Sequence, residues 1–353
     1  MQKYSIKIFI LLLTFSSIQF SQTEIGKYAG EFLSLGVGGR ALGMGGANVA
    51  VANDVTAGYW NPAGLARMDY PQISLMHEEH FGSLVNYNYG AVAIPYGTDM
   101  SFGISAIRLS IDGISDTRNA GFDRETGESI NLLDPNWQIL HPNWGLDKSK
   151  ITDFSNTDWA FFLTFAKRQS DKFYWGANVK FIRRDIAEFG ATGIGFDVGA
   201  VYMPYENFSV GANLMDVTTT LLAWDNGRNE LISPTAKIGT AYMFEFLGGQ
   251  ITPAVDFDVR FENRQFASQF NLGPVSFDTR LGLEYSFKNI IAFRGGYNDV
   301  KQFTIGAGVK LPKLNIDYTF ATFNETKANG LPDTHRISLI LTLEEPKFLR
   351  KSE

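Results

Sequence analysis

The feature that most constrains this chain is a train of about fourteen segments in which apolar and polar residues alternate, separated by gaps that are short and long in turn. In 275–287, Val275, Phe277, Thr279, Leu281, Leu283, Tyr285 and Phe287 take one side, and Ser276, Asp278, Arg280, Gly282, Glu284 and Ser286 the other. Only a strand keeps those sets apart, because its side chains point alternately to opposite faces. The same split runs through 251–261, 303–311 and 314–320. The other ten segments fall near 71–80, 86–95, 100–109, 158–168, 173–184, 193–203, 207–216, 235–246, 290–298 and 335–343. A strand of about ten residues rises about 33 Å, and a tilt of about 40° leaves about 25 Å along the axis, the height of a lipid-facing band. Each segment is therefore long enough to cross an outer membrane.

The gaps set the expected topology. Pro95 to Asp99, Gln169 to Lys172, Pro204 to Asn207, Leu247 to Gly249, Lys288 with Asn289, and Pro312 carry the residue types of tight turns. Between them lie mostly long gaps: Asp112 to Thr157, Arg183 to Thr192, Val217 to Pro234, Asn263 to Gly273 and Thr322 to Thr334. Short periplasmic turns alternating with longer external loops are the pattern of a bacterial outer-membrane barrel. The fold predicted is all-β, a transmembrane antiparallel barrel of about 14 strands over 71–343.

Composition supports this without requiring it. The chain has 29 Phe, 14 Tyr, 6 Trp and 35 Gly, and its mean hydropathy is near zero, as expected where each strand has one apolar face. Its one long apolar run is at the start: Lys3 and Lys7 precede Ile8 to Phe15, and small polar residues follow, so 1–21 reads as a cleaved secretory leader. Losing both lysines makes the formal charge of −6 more negative by two, which argues against a nucleic-acid partner. With no cysteine, the chain offers no thiolate metal site and no disulfide. Residues 344–353 are a polar tail, expected to lie solvated in the periplasm.

The stretch 26–70 has another character. Its glycines, including Gly38, Gly39, Gly43, Gly45 and Gly46, suit tight turns and close backbone approach and would weaken a strand. The inward positions of several strands hold small residues such as Gly282, Gly296, Gly306 and Ala254, which leave room inside. We therefore expect 26–70 to fold into the lumen as a hatch, with a short helix around 41–52. Asp256, Asp258, Arg260, Asp278, Arg280 and Glu284 share the inward side of neighbouring strands and would form an ion-paired wall that grips it.

The run Ser34-Leu35-Gly36-Val37-Gly38-Gly39-Arg40-Ala41-Leu42-Gly43-Met44-Gly45-Gly46-Ala47, followed by Val49 to Asp54 and by Trp60-Asn61-Pro62-Ala63-Gly64-Leu65, resembles the N-terminal signature of the PorV/PorQ family of outer-membrane proteins, in particular a PorV-type paralogue. That family in turn resembles the FadL transporters, fourteen-stranded barrels with an N-terminal hatch bearing an Asn-Pro-Ala motif; Asn61-Pro62-Ala63 stands where it would be. The resemblance implies a part in type IX secretion: a non-catalytic adaptor that binds the translocon barrel or the C-terminal sorting domain of secreted cargo. The long 112–157 gap, with Trp137, His141 and Trp144, is then a candidate docking loop. The alternative is a FadL-like channel for hydrophobic small molecules, which calls for a greasy pocket; Leu132, Leu133, Ile139, Leu140, Leu221 and Leu222 would supply part of one. One departure from the barrel pattern is the last strand, where Ile337, Leu339, Leu341 and Leu343 are not followed by a terminal aromatic residue.

No catalytic, cofactor or metal site is expected. Gly36-x-Gly38-x-x-Ala41 fits a loose dinucleotide fingerprint, but no βαβ pattern surrounds it. His77-Glu78-Glu79-His80 lies on a predicted strand, where its two histidines face opposite sides.

Overall fold

The structure is a computed structural model that describes residues 23–24, 30–80, 84–262, 264, 268–323 and 333–351. The expected leader at 1–21 and the first expected hatch residues, 26–29, lie outside the described residues.

Fourteen antiparallel strands form the barrel. In chain order they are β1 Gln72–His80, β2 Val85–Tyr96, β3 Met100–Asp116, β4 Thr152–Ser170, β5 Phe173–Ile186, β6 Phe189–Tyr205 and β7 Phe208–Met215. The second half comprises β8 Thr235–Tyr242, β9 Gly249–Arg260, β10 Val275–Phe287, β11 Ile291–Tyr297, β12 Gln302–Leu311, β13 Leu314–Phe323 and β14 Thr334–Thr342. Leu75 of β1 pairs with Leu339 of β14, which closes the ring. Closure is what lipid demands, since an open edge would leave backbone N–H and C=O groups without partners. The alternation follows: in β12, Phe303, Ile305 and Val309 are exposed to the lipid side while Thr304, Gly306 and Gly308 are buried inside.

At one end every connection is tight. Leu247 and Gly248, joining the β8 side to β9, both have positive φ (47° and 75°), the conformation that two-residue hairpin turns favour. Exposed Tyr96, Tyr205, Tyr242 and Phe287 ring this end as an interfacial girdle. By the loop-length rule it is the periplasmic end.

The outer end differs from expectation at one connection. Arg183–Thr192 is no long loop: β5 and β6 continue to Ile186 and Phe189, and only Ala187 and Glu188 turn between them, Ala187 at φ 51°. Polar residues such as Arg183 at the lipid edge and Asp185 above it hide the continuation in sequence, because a strand that leaves the lipid no longer needs an apolar face. β3 and β4 rise likewise, with a register shift between Ile111 and Ile114 beside Gly113 at φ 70°. Above them residues 117–151 carry a small sheet of Gly121–Asp123, Ser129–Ile130 and Trp144–Leu146. Residues 216–234 hold a hairpin whose first strand, Thr220–Trp224, pairs with the top of β6.

Residues 30–68 fill the lumen. They form a 3-10 turn at Glu31–Ser34, short helices α1 Gly39–Gly43 and α2 Ala57–Trp60, and a 3-10 turn at Pro62–Arg67. The helix expected around 41–52 is therefore cut short, because Gly45 and Gly46 adopt φ of 66° and 78° and end it. The tail also departs from a solvated arm. Leu343 donates its N–H to the Pro71 carbonyl (2.9 Å), and Arg350 donates to the carbonyls of Met68 and Met100 and to Ser101 Oγ, all at 2.7 Å. A guanidinium supplies the donors that these periplasmic-end carbonyls lack.

Candidate functional site

The lumen is the candidate site, and its two sides differ in chemistry. On the β1–β6 side one register row runs Met76, Tyr89, Ile107, Ala160, Ile182, Gly193 and, from the external hairpin, Leu222. With Tyr87, Leu109 and Phe162 these residues make an apolar lining, and Phe32, Leu33, Tyr59 and Trp60 pack into it. Nearer the periplasm the lining switches to amides, Asn178 of β5 and Asn213 of the adjoining β7. Asn178 Nδ2 donates to the Gly58 carbonyl at 2.8 Å, and Asn213 Nδ2 donates to that of Trp60 at 3.0 Å.

The β8–β13 side is charged. Arg40 of α1 forks onto Glu284, Nη2 to Oε1 at 2.9 Å and Nε to Oε2 at 3.0 Å, while its Nη1 donates to Asn53 Oδ1 at 2.8 Å. Glu284 also accepts from Arg294 Nε (2.6 Å), and Arg294 continues to Asp317 (2.6 Å). Asp256 Oδ2 accepts the backbone N–H groups of Asn48 (2.7 Å) and Val49 (2.8 Å), which no helix satisfies. Asp258 meets Arg280 at 3.1 Å and Lys237 at 3.3 Å. Arg260 lies 3.4 Å from Glu31, and Asp278 lies 3.2 Å from Arg264. Buried charges are tolerable when paired and hydrogen-bonded in this way.

The predicted motif residues come together at these contacts. Asn61 caps the Pro62–Arg67 turn by accepting the Ala63 N–H at 3.2 Å, and its Nδ2 donates to the carbonyls of Val49 (2.9 Å) and Ala200 (3.1 Å). Pro62 follows at the first position of that turn, where its missing N–H costs nothing. Gly39 donates to Ser338 Oγ (2.8 Å) and accepts from Thr319 Oγ1 (2.7 Å); Gly43 accepts from Thr304 Oγ1 (3.0 Å). The lumenal chain lies directly on barrel backbone: a Cβ at Gly296 would strike Gly45, and one at Gly211 would strike the Val49 carbonyl. Below α1 a polar cavity of about 390 Å³, lined by Arg40, Asn53, Gln250, Glu284, Arg294 and Asp317, opens toward the periplasmic turns.

Several site residues escaped the sequence reading. Lys237, Arg294 and Asp317 complete the charged side, and Lys180 forms a buried cluster with Asp197 (3.0 Å) and Asp216 (2.8 Å) beneath the external hairpin. Each strand member sits at an inward parity position, so extending the alternation rule to every strand would have marked it. The leucines proposed for a greasy pocket do not assemble. Leu222 alone enters the lumen; Leu221 faces outward, and Leu133, Ile139 and Leu140 lie exposed on the 117–151 loop.

On that loop Trp137 and Trp144 pack edge to face, 4.7 Å between centroids, and His141 Nδ1 lies 3.1 Å from Asp123. The backbone N–H of Glu125, then His141, hold the Asp123 carboxyl below its usual range. His77 faces outward and meets Asn88 (2.8 Å), whereas His80 meets buried Glu78 (2.6 Å), so the two histidines do not converge.

No protein-family model and no curated protein sequence matches the chain. Solved structures do. CymD, a monoaromatic hydrocarbon channel, superposes with a TM-score of 0.55 at 12% identity over 88% of this chain and 98% of its own. The Ralstonia pickettii toluene transporter TbuX gives 0.54 at 13% identity, covering 87% and 97%. A Pseudomonas aeruginosa FadL homologue gives 0.51 at 14% identity, covering 87% and 98%. The closed ring, the apolar outer band and these likenesses together make this a FadL-like barrel of the bacterial outer membrane.

Proposed function

We propose that the protein is an outer-membrane channel for hydrophobic small molecules, with residues 30–68 as its hatch. One observation carries the reading: the outer part of the lumen is lined by Tyr89, Ile107, Phe162, Ile182 and Leu222 and is filled by the chain's own Phe32 and Leu33. Gly30 (φ 108°) and Gly36 (φ 88°) bracket that short segment. Apolar contacts are non-directional, so an apolar solute can take the place of the Phe32 and Leu33 side chains, and the one buried polar contact that breaks is the Tyr59 hydroxyl donated to the Leu33 carbonyl. The hydrocarbon channels and toluene transporters that share the fold support the same reading.

The test uses the absence of native cysteine. Glu31→Cys with Arg260→Cys, at side chains that meet at 3.4 Å, is crosslinked by a short bismaleimide in cells taking up radiolabelled toluene. Uptake should rise on expression of the protein and fall to background on crosslinking. Uptake that never exceeds the vector control overturns the proposal.

The type IX adaptor reading finds no support among the comparisons. The one observation on its side is the exposed loop bearing Leu133, Ile139 and Leu140 beside the Trp137–Trp144 pair, a surface apolar enough for a protein partner. Crosslinking in native membranes should recover a translocon barrel or sorting-domain cargo if that reading holds, and the barrel alone if the channel reading holds.

A further inference from the structure

One row of the barrel's outer wall is unlike the rest. His77, Asn88, Arg108, Trp159, Arg183 and Thr192 stand opposite one another across β1 to β6. All lie on the lipid-facing side, since their chain neighbours Ile107, Leu109, Asp158, Ala160 and Ile182 are buried inside. The next outward positions toward the periplasm are apolar, among them Leu75, Phe161, Phe181 and Ile194. The row therefore marks the outer edge of the lipid band.

Two arginines in this row flank one tryptophan. Arg108 sits 5.8 Å from the Trp159 ring centroid and has no ion pair or hydrogen bond among the described side chains. Arg183 pairs with Asp185, and both are about half exposed. Trp159 stacks on Phe161, centroids 5.5 Å apart and rings 4° from parallel. Directly below Arg183 a groove of about 590 Å³ runs along the wall, lined by Phe161, Phe181, Ile194 and Leu221. An unpaired guanidinium facing lipid is costly at the membrane centre and tolerable at the interface, where headgroup anions meet it.

We propose that Arg108, Trp159 and Arg183 form a binding site for a phosphate-bearing lipid of net negative headgroup charge in the outer leaflet, with one acyl chain in the groove beneath. The arginines supply the charge and the planar donors for the phosphate, with Trp159 at headgroup depth. The neighbouring Asp185 takes up part of the Arg183 charge, which leaves Arg108 as the stronger anion site. This site is separate from the lumen and does not depend on the channel reading.

The full-length protein is reconstituted in phosphatidylcholine nanodiscs containing a small fraction of chain-brominated phosphatidylglycerol or, separately, brominated phosphatidylcholine. Tryptophan quenching in the wild type minus that in Trp159→Phe isolates Trp159. The expectation is brominated phosphatidylglycerol enriched at Trp159 on the order of tenfold over brominated phosphatidylcholine. Arg108→Gln/Arg183→Gln should abolish the difference, and Arg108→Lys/Arg183→Lys should keep most of it; unchanged heat-modified gel mobility confirms that each variant is folded. Equal quenching by the two lipids overturns the proposal. So does complete relief by millimolar inorganic phosphate, which would mark a simple anion site with no role for the acyl chain.

Discussion

The two walls of one lumen hold the same segment by different physics. The β1–β6 wall meets residues 32–33 and 59–60 with Tyr89, Ile107, Phe162 and Ile182, while the β8–β13 wall meets residues 40–49 with Glu284, Asp256 and their partners. Apolar burial scales with area and tolerates sliding; paired charges fix direction and fail abruptly when one partner goes. A membrane barrel's interior therefore need not be uniformly polar. One side fixes the direction of a segment through paired charges while the other holds it by buried area.

A conservative change on each wall separates the two modes of contact. Glu284→Gln keeps the shape but removes the anion shared by Arg40 and Arg294, and should cost about 3–5 kcal/mol. Hydrogen exchange read by mass spectrometry should show lost protection of the amides at 38–53. If residues 30–35 lose protection equally, the two walls act as one unit and the contrast fails.

The tail bears on which end of the segment is anchored. Arg350→Ala strips donors from the carbonyls of Met68 and Met100 and from Ser101, an effect of about 1–3 kcal/mol. Limited proteolysis from the periplasmic side should then cut near residue 68 faster than in the wild type. Unchanged cutting would mean that the barrel walls alone hold that junction.

On the apolar wall, Ile182→Val removes one methylene from a packed row and should cost only about 0.5–1.5 kcal/mol. Its effect should appear at 30–35 and 57–60 and leave 38–53 protected. A loss as large as that of Glu284→Gln would show that the apolar wall is as directional as the charged one.

The smallest effect lies outside the lumen and serves as its control. Asp123 has its carboxyl held low by the Glu125 N–H and His141, so its contribution to the 117–151 loop is present above the ordinary carboxylate pKa of about 4 and is lost as pH falls through the lower folded value. Protease resistance of this loop should drop at that acid end and be replaced by a pH-independent, lower resistance in Asp123→Asn. A drop at neutral pH would contradict the assignment.

Much of this was legible in the residues. Alternation in 275–287 places Asp278, Arg280 and Glu284 inward, because a strand's period of two leaves no other choice. Gly45 and Gly46 announced a chain able to approach a wall closely, and Lys288 with Asn289 announced a tight turn. The apolar wall was not legible: Tyr87, Ile107 and Ile182 face inward at positions where a barrel is expected to be polar, and alternation alone cannot say that a lumen has been filled. Nor was Arg350, whose partners Met68 and Met100 lie far from it in sequence.

The strand train, the inward or outward side of most residues and the glycine-rich N-terminal segment are written in the residues alone, all consequences of short-range geometry. Which inward charges pair, the apolar chamber around Phe32 and Leu33, and the shared row of Arg108, Trp159 and Arg183 emerge from the folded ring. Those depend on strand register and ring closure, which bring together residues from β1 to β14, and no local periodicity encodes them.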